Sequence, residues 1–217
     1  MRSLIILFAK APVPGRVKTR LSPVLDAAGA AGLHSALVRD MLEALAPFSA
    51  TADIELSTDI ETDAWRDVPV SRSTQAEGSL GDRICHALAA ALQAGRPKAM
   101  ILGSDSPGLP AAHIDGLLQS TADAALGPTE DGGYYAIACR RAAPAMFRGV
   151  NWSTSSTLDD TVRALRDCGL TVELGLPWFD IDQPSDLYRM QELSNIPRHT
   201  ADWLRSNARL FLSQAKS

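Results

Sequence analysis

Leu4-Ile-Ile-Leu-Phe-Ala9 is an unbroken apolar run, and it leads directly into Lys10-Ala-Pro-Val-Pro-Gly-Arg-Val-Lys-Thr-Arg20. A compact apolar stretch ended by Pro12 and Pro14 reads as a buried strand. Asp26–Ala46 follows, with Leu33, Leu37, Met41, Ala44 and Leu45 on one helical face. The alternation then repeats. Further strands are predicted at Asp53–Ser57, Val68–Ser71, Ala99–Leu102, Ala124–Gly127, Tyr134–Cys139 and Leu170–Leu174. Helical spacing links Leu80, Ile84, Leu88, Ala91 and Leu92, closed by Gly95 and Pro97. It also links Ile114, Leu117 and Leu118, then Leu158, Val162 and Leu165, then Leu187, Met190 and Leu193 after Pro184. A last amphipathic stretch, Thr200–Ser213, carries Trp203, Leu204, Ala208 and Phe211 on one face, suited to packing on the domain or on a partner. Strands alternating with helices imply βαβ units and an α/β fold with a mainly parallel sheet covered on both faces. In such sheets ligands sit at the carboxyl ends of strands. The loops leaving Leu4–Ala9, Ala99–Leu102 and Ala124–Gly127 are therefore where chemistry is expected.

Composition agrees with this frame. The 217 residues suit one domain, 1–217, and are enough to bury a full core. Hydrophobic residues make up 46% and charged residues 21%, an ordinary globular balance. A net charge of −4 argues against general nucleic-acid or membrane-surface binding, which needs a basic footprint. The longest stretches without a charge, Ala27–Val38 and Ile84–Gly95, are too short to span a bilayer. Cys85, Cys139 and Cys168 form no CxxC and leave an odd thiol, the usage expected of a reducing, cytoplasmic compartment.

The Lys10–Arg20 loop concentrates Lys10, Arg16, Lys18 and Arg20, and no acidic residue lies between Ala9 and Leu25. Arg grips phosphate bidentately and Lys adds a point charge, so a fixed cationic loop at a strand end is suited to phosphate. Gly15 would let the backbone approach a ligand closely. The spacing is neither that of a Walker loop nor of a GxGxxG fingerprint; a solvated charged loop is the plainer alternative.

Two acidic loops complement it. Gly103-Ser-Asp-Ser-Pro-Gly-Leu-Pro110 places Ser104 and Asp105 just past a buried strand, where a carboxylate can hold Mg²⁺ or Mn²⁺ against phosphate oxygens. Phe179-Asp-Ile-Asp-Gln-Pro-Ser-Asp-Leu187 offers Asp182, with Asp180 as its rival for the second ligand position. Helix capping is the structural alternative for both loops. His34, His86, His113 and His199 lack ligand spacing and read as helix or loop residues. Gly127-Pro-Thr-Glu-Asp-Gly-Gly-Tyr-Tyr135 joins two strands. Glu130, Asp131, Gly132, Gly133 and Tyr134 are its candidates for contact with a sugar or hydroxy-acid, against a plain Asp-Gly turn. Asn151–Thr157 is a further segment that can face the same cleft, or simply start a helix.

Taken in order, FAKAPVPGRVKTRL (Phe8–Leu21), GSDSPGLP (Gly103–Pro110), GPTEDGGYY (Gly127–Tyr135), WSTSSTL (Trp152–Leu158) and DIDQPSDL (Asp180–Leu187) resemble the bacterial DUF2064 family. Its members are glycosyltransferase-A-like proteins related to the phospholactate guanylyltransferases. The resemblance implies a Rossmann-like nucleotide-diphospho-sugar transferase domain with a mixed, mostly parallel sheet. It implies that Arg16 and Lys18 match the Arg and Lys of a nucleotide-binding loop, although Pro12 and Pro14 stand where that loop is usually glycine-rich. It also implies that Asp105 and Asp182 match the metal-binding acidic positions. Ser104-Asp105-Ser106 supplies one carboxylate where a glycosyltransferase more often carries DxD, which favours nucleotidyl transfer over glycosyl transfer. The expected partners are an NTP or nucleotide-sugar and a small phosphorylated or hydroxylated acceptor, with a homodimer left open. A non-catalytic nucleotide-binding protein is the alternative from another class.

Overall fold

The computed structural model describes residues 1–207. Seven strands, β1 (Ser3–Ala9), β2 (Ala52–Thr58), β3 (Ser71–Thr74), β4 (Ala99–Gly103), β5 (Ala124–Pro128), β6 (Tyr134–Cys139) and β7 (Val172–Leu174), form one sheet in the order β3-β2-β1-β4-β6-β5-β7. β6 runs antiparallel to both β4 and β5, while every other neighbouring pair is parallel. The helices are α1 (Ala27–Leu45), α2 (Leu80–Gln93), α3 (Ala111–Gln119), α4 (Thr157–Asp167), α5 (Pro184–Gln191) and α6 (Arg198–Ser206).

The core follows the two-residue period of the strands. Along β1, Ile5, Leu7 and Ala9 enter a layer shared with Met41 and Leu45 of α1 and Ile114 of α3. Leu4 and Ile6 enter the opposite layer with Ile84 and Leu88 of α2 and Leu165 of α4. Both faces are thus covered, as a mainly parallel sheet requires. Short local signals end the elements. Asp26 caps α1 by accepting from the Gly29 amide at 2.6 Å, and Ser79 with Asp82 closes a capping box on α2. Lys98, which is buried, donates to the carbonyls of Leu117, Leu118 and Ser120 and so satisfies the end of α3.

Two predicted elements shift. The strand expected at Val68–Ser71 lies at Ser71–Thr74 instead: Val68 and Val70 pack against the core from a turn, and four exposed residues form the edge strand through backbone pairing to β2. The final helix covers Arg198–Ser206, with Trp203 buried against α1 residues; Ala208 and Phe211 lie outside the described residues. Among the described residues no helix is long and apolar enough to cross a membrane.

A third core cluster positions the chemistry. Phe179 and Ile181 are buried with Leu33 and Leu37 of α1 and Leu187 and Met190 of α5. With Phe179 and Ile181 turned inward, the alternate residues Asp180 and Asp182 face the cleft. The Ile181 amide donates to the Asp105 carbonyl at 2.9 Å, tying this segment to the loop after β4.

Candidate active site

Asp105 stands at the centre of the strand-end loops. The nearest helix, α3, begins at Ala111 behind Pro110 without a side-chain cap, so Asp105 is not a capping residue. Lys18 Nζ lies 2.9 Å from its Oδ2 and also donates to the Ile181 carbonyl. The Lys18 side chain is only 3% exposed, and the residue adopts a left-handed backbone (φ 49°), a conformation costing roughly 1–2 kcal/mol for a residue with a Cβ. The ion pair and the carbonyl contact hold it there. Asp105 keeps 42% of its side chain accessible from the cleft. Burial among protein atoms pushes its carboxyl up, but the Lys18 ammonium and His34 outweigh that and hold it well below the usual carboxylate range.

His34 is a site residue that sequence reasoning placed among ordinary helix residues. It sits on α1, buried, with Nε2 donating to the Lys10 carbonyl at 2.9 Å and Nδ1 3.7 Å from Asp105 Oδ1. Trp65 packs edge-on against its ring. Helical spacing offered no signal for this, because the partners lie on two other loops.

Tertiary structure also supplies the counter-charges that the Lys10–Arg20 loop lacks in its own sequence. Arg16 lies 3.7 Å from Asp59, Lys18 pairs with Asp105 and Arg20 pairs with Asp182. Three of the loop's four cations thus face a carboxylate from another segment. Arg16 remains more than half exposed in a loose pair, and Lys10 lines the cleft. Gly15 adopts a positive φ of 78°, which favours glycine, and no protein atom lies within 4 Å of where a Cβ would go.

Asp182 does not cap α5 either. Gln183 is the cap residue, and Asp186 accepts from the amides of Asp182 and Gln183 at 2.9 and 2.6 Å. Asp180 lines the cleft beside it. Burial, together with Asp131, Asp105 and Asp182, pushes the Asp180 carboxyl up to about 6.

In the loop between β5 and β6, Asp131 accepts from Thr129 Oγ1 at 2.6 Å and from the Gly133 amide at 3.0 Å, and all three line the cleft. Glu130, expected to contact substrate, has both its oxygens held by Arg189 in an exposed ion pair. Gly132 (φ 90°) lies against the Ser155 carbonyl, which a Cβ would approach to 2.1 Å, and its own carbonyl accepts from the Leu158 amide. That contact locks the loop to the start of α4. The Tyr134 ring lines the cleft, but its hydroxyl is buried, and burial pushes it up well beyond the ordinary phenol range. Ser104 is buried, with Oγ 3.4 Å from Asp105 Oδ1.

The cleft divides into two adjoining hollows. One, about 480 Å³, is lined by the cationic loop with His34, Ser104 and Asp105; the other, about 510 Å³, by Thr129, Asp131, Tyr134, Trp152 and Asp180. Asp105, Asp182, Lys10 and Arg20 border both. A larger hollow of about 870 Å³ opens between α2 and residues 140–148 and touches none of these loops. Among the described residues, Asp105, Asp180 and Asp182 do not close into a three-ligand cage. The grouping that does, Asp40, Glu43 and His199, belongs to the α1–α6 contact, where Asp40 accepts from the His199 and Thr200 amides.

Residues 33–154 match the DUF2064 family, described as an uncharacterized protein conserved in bacteria. The chain belongs to the DUF2064 family. A protein of Desulfovibrio desulfuricans G20, provisionally described as a nucleotide-diphospho-sugar transferase, is 32% identical over 97% of both chains, with a TM-score of 0.85. A CMP:2-keto-3-deoxy-manno-octonic acid synthetase complexed with CTP is 13% identical over 89% of this chain and 98% of that one, with a TM-score of 0.53. A cytidylyltransferase from Leptospira borgpetersenii is 12% identical over 99% and 98%, with a TM-score of 0.52. The last two show that this DUF2064 protein shares the nucleotidyltransferase fold. No curated protein matches the sequence.

Proposed function

We propose that this DUF2064 protein transfers a nucleotidyl group from an NTP to a small acceptor, releasing pyrophosphate. The observation that carries the reading is the meeting of a cationic loop and several separate carboxylates, Asp105, Asp180 and Asp182, in one cleft at the carboxyl ends of β1 and β4. The fold shared with a CTP-complexed synthetase and a cytidylyltransferase supports it.

Lys10 and Arg16 have the freedom to take phosphate oxygens, and Arg20 can share its charge between Asp182 and a ligand. Lys18 has a different role: it is committed to Asp105 and the Ile181 carbonyl, so it positions the carboxylate. His34 holds the other side of Asp105. The residues fit a divalent cation. Mg²⁺ is usually held by one or two carboxylates plus substrate phosphates, so a closed protein cage is not required. Asp105 and Asp182 would hold it, with Asp180, which has no cation of its own, alongside; the like-charge pressure on Asp180 is what a cation relieves. The bound cation supplies charge neutralisation at the phosphate. In the reaction the acceptor oxygen bonds to the α-phosphorus, the bond from that phosphorus to the bridging oxygen breaks, and pyrophosphate leaves with the electron pair. A hydroxyl acceptor releases its proton to water. Positioning and charge stabilisation carry such chemistry, without a protein nucleophile.

Thermal denaturation with each NTP, nucleoside diphosphate and nucleotide-sugar, with and without Mg²⁺ or Mn²⁺, tests this. A ligand at about 100 times its Kd stabilises by ~2.7 kcal/mol, or roughly 5–10 °C here. A metal-dependent shift with one NTP, absent in Asp105→Asn, together with pyrophosphate release that falls about 10³-fold in that variant, is the expected result. A shift confined to a nucleotide-sugar and its diphosphate supports glycosyl transfer instead, the reading favoured by the description of the Desulfovibrio relative.

A further inference from the structure

The two hollows differ in charge as well as in lining. The residues that border the first and not the second include Arg16, Lys18, His34 and Arg83. Those that border the second and not the first include no Lys, Arg or His. They are carboxylates (Asp131 and Asp180), hydroxyl residues (Thr129, Thr154, Ser155 and Thr157), a glycine and apolar or aromatic groups. Lys10 and Arg20 stand at the boundary, and Arg20 is already held by Asp182.

The second hollow is built rather than incidental. Trp152 packs edge-on to Tyr134 with ring centroids 6.2 Å apart, and against Phe147 at 5.8 Å. Ser153 is held in a left-handed backbone (φ 60°) between Trp152 and Thr154. The Gly132–Ser155 contact and the amide of Leu158 fasten this wall to the β5–β6 loop. Phe8, Ile84, Ile101 and Ile137 add apolar lining.

We infer that the second hollow takes an uncharged, hydroxylated acceptor that lays an apolar face on Trp152 and Tyr134 and directs hydroxyls to Asp131. Phosphate or carboxylate groups belong to the first hollow. An anionic acceptor in the second would meet Asp131 and Asp180, with cations only at its boundary, where Arg20 is already paired with Asp182, and like charges at close range in a partly desolvated cleft repel strongly. Carboxylate oxygens accept from hydroxyls, and aromatic faces stack on the apolar side of a sugar-like ring or an aryl group. The inference rests on the nucleotide-transfer reading and narrows its acceptor from phosphorylated or hydroxylated to hydroxylated.

The test uses two matched probes, phenyl β-D-glucopyranoside and phenyl phosphate, titrated against tryptophan fluorescence. The first hollow is filled beforehand with inorganic phosphate. The glucoside is expected to give a saturable change that Trp152→Phe abolishes, with phenyl phosphate at least about tenfold weaker. Asp131→Asn, which keeps the acceptor for Thr129 and Gly133 and so preserves the turn, should narrow that gap about tenfold. The inference is overturned if phenyl phosphate binds through Trp152 as tightly as the glucoside, or if the glucoside gives no Trp152-dependent change. Neither probe carries a nucleotide. Loss of NTP binding with an intact glucoside signal would sink the transfer reading alone, whereas NTP binding with phosphate preference in the second hollow would sink this inference alone.

Discussion

The Lys10–Arg20 loop and the Gly127–Tyr135 loop lie on the same cleft, yet the balance of what holds them differs. The first is fixed from outside. Asp59, Asp105 and Asp182, each far away in sequence, meet its cations, and His34 of α1 takes the Lys10 carbonyl. The second closes a turn of its own from Thr129, Asp131 and Gly133, and that turn docks on Ser155, on the Trp178 backbone and, through Glu130, on Arg189. A loop that arranges itself can present a rigid binding wall. A loop arranged by distant charges changes its own electrostatics whenever a ligand or ion displaces a partner.

The largest stability difference between the loops should come from one substitution type made in both. Gly132→Ala puts a Cβ about 2.1 Å from the Ser155 carbonyl at φ 90° and is expected to cost about 3–4 kcal/mol, a melting drop of roughly 6–16 °C. Gly15→Ala meets open space at φ 78° and should cost only the backbone strain, about 1–2 kcal/mol. Equal losses would show that the second loop is not locked to α4 as described.

Lys18→Met comes next. It removes the ammonium from a nearly buried position and leaves Asp105 facing His34 alone, for an expected loss of about 2 kcal/mol in chemical denaturation. Adding Asp105→Asn should recover part of that loss, because no uncompensated charge then remains. If the double variant is less stable than the sum of the singles, the pair is not the coupled unit drawn here.

Asp180→Asn should act in the opposite direction. A carboxyl raised to about 6 from its ordinary value contributes stability that is full below the unfolded value and is lost as pH rises through 6. At pH 8, with chelator present, the Asn variant should therefore be more stable than the parent by about 1–2 kcal/mol, and the advantage should vanish near pH 4. A pH-independent difference would place the effect in packing. Glu130→Gln is the smallest change, below about 1 kcal/mol because the Arg189 pair is exposed, and it should leave nucleotide-dependent stabilisation unchanged.

The places where reading the chain succeeded and failed follow the same division. β1, β4 and β6 were legible because a buried strand must be apolar on both faces, and Leu4–Ala9, Ala99–Leu102 and Tyr134–Cys139 are. β3 was not, because its Ser71–Thr74 sequence contributes only backbone to the sheet edge while apolar Val68 and Val70 pack from a turn. The motif loops were legible as loops, and Asp105 as their central carboxylate. The partners were not: nothing in the sequence of α1 marks His34, and nothing within Lys10–Arg20 announces Asp59, Asp105 and Asp182.

The sequence by itself determined the α/β alternation, the family, and which loops lie at strand ends, since burial period, turn residues and contiguous motifs are local properties of a chain. Only the tertiary structure decided which cation meets which carboxylate, that Glu130 pairs with Arg189 while Asp180 turns in, and that the cleft divides into a cationic and an uncharged-to-acidic half. Coulombic pairing and desolvation depend on distance in space, and the order of residues along the chain does not carry that distance.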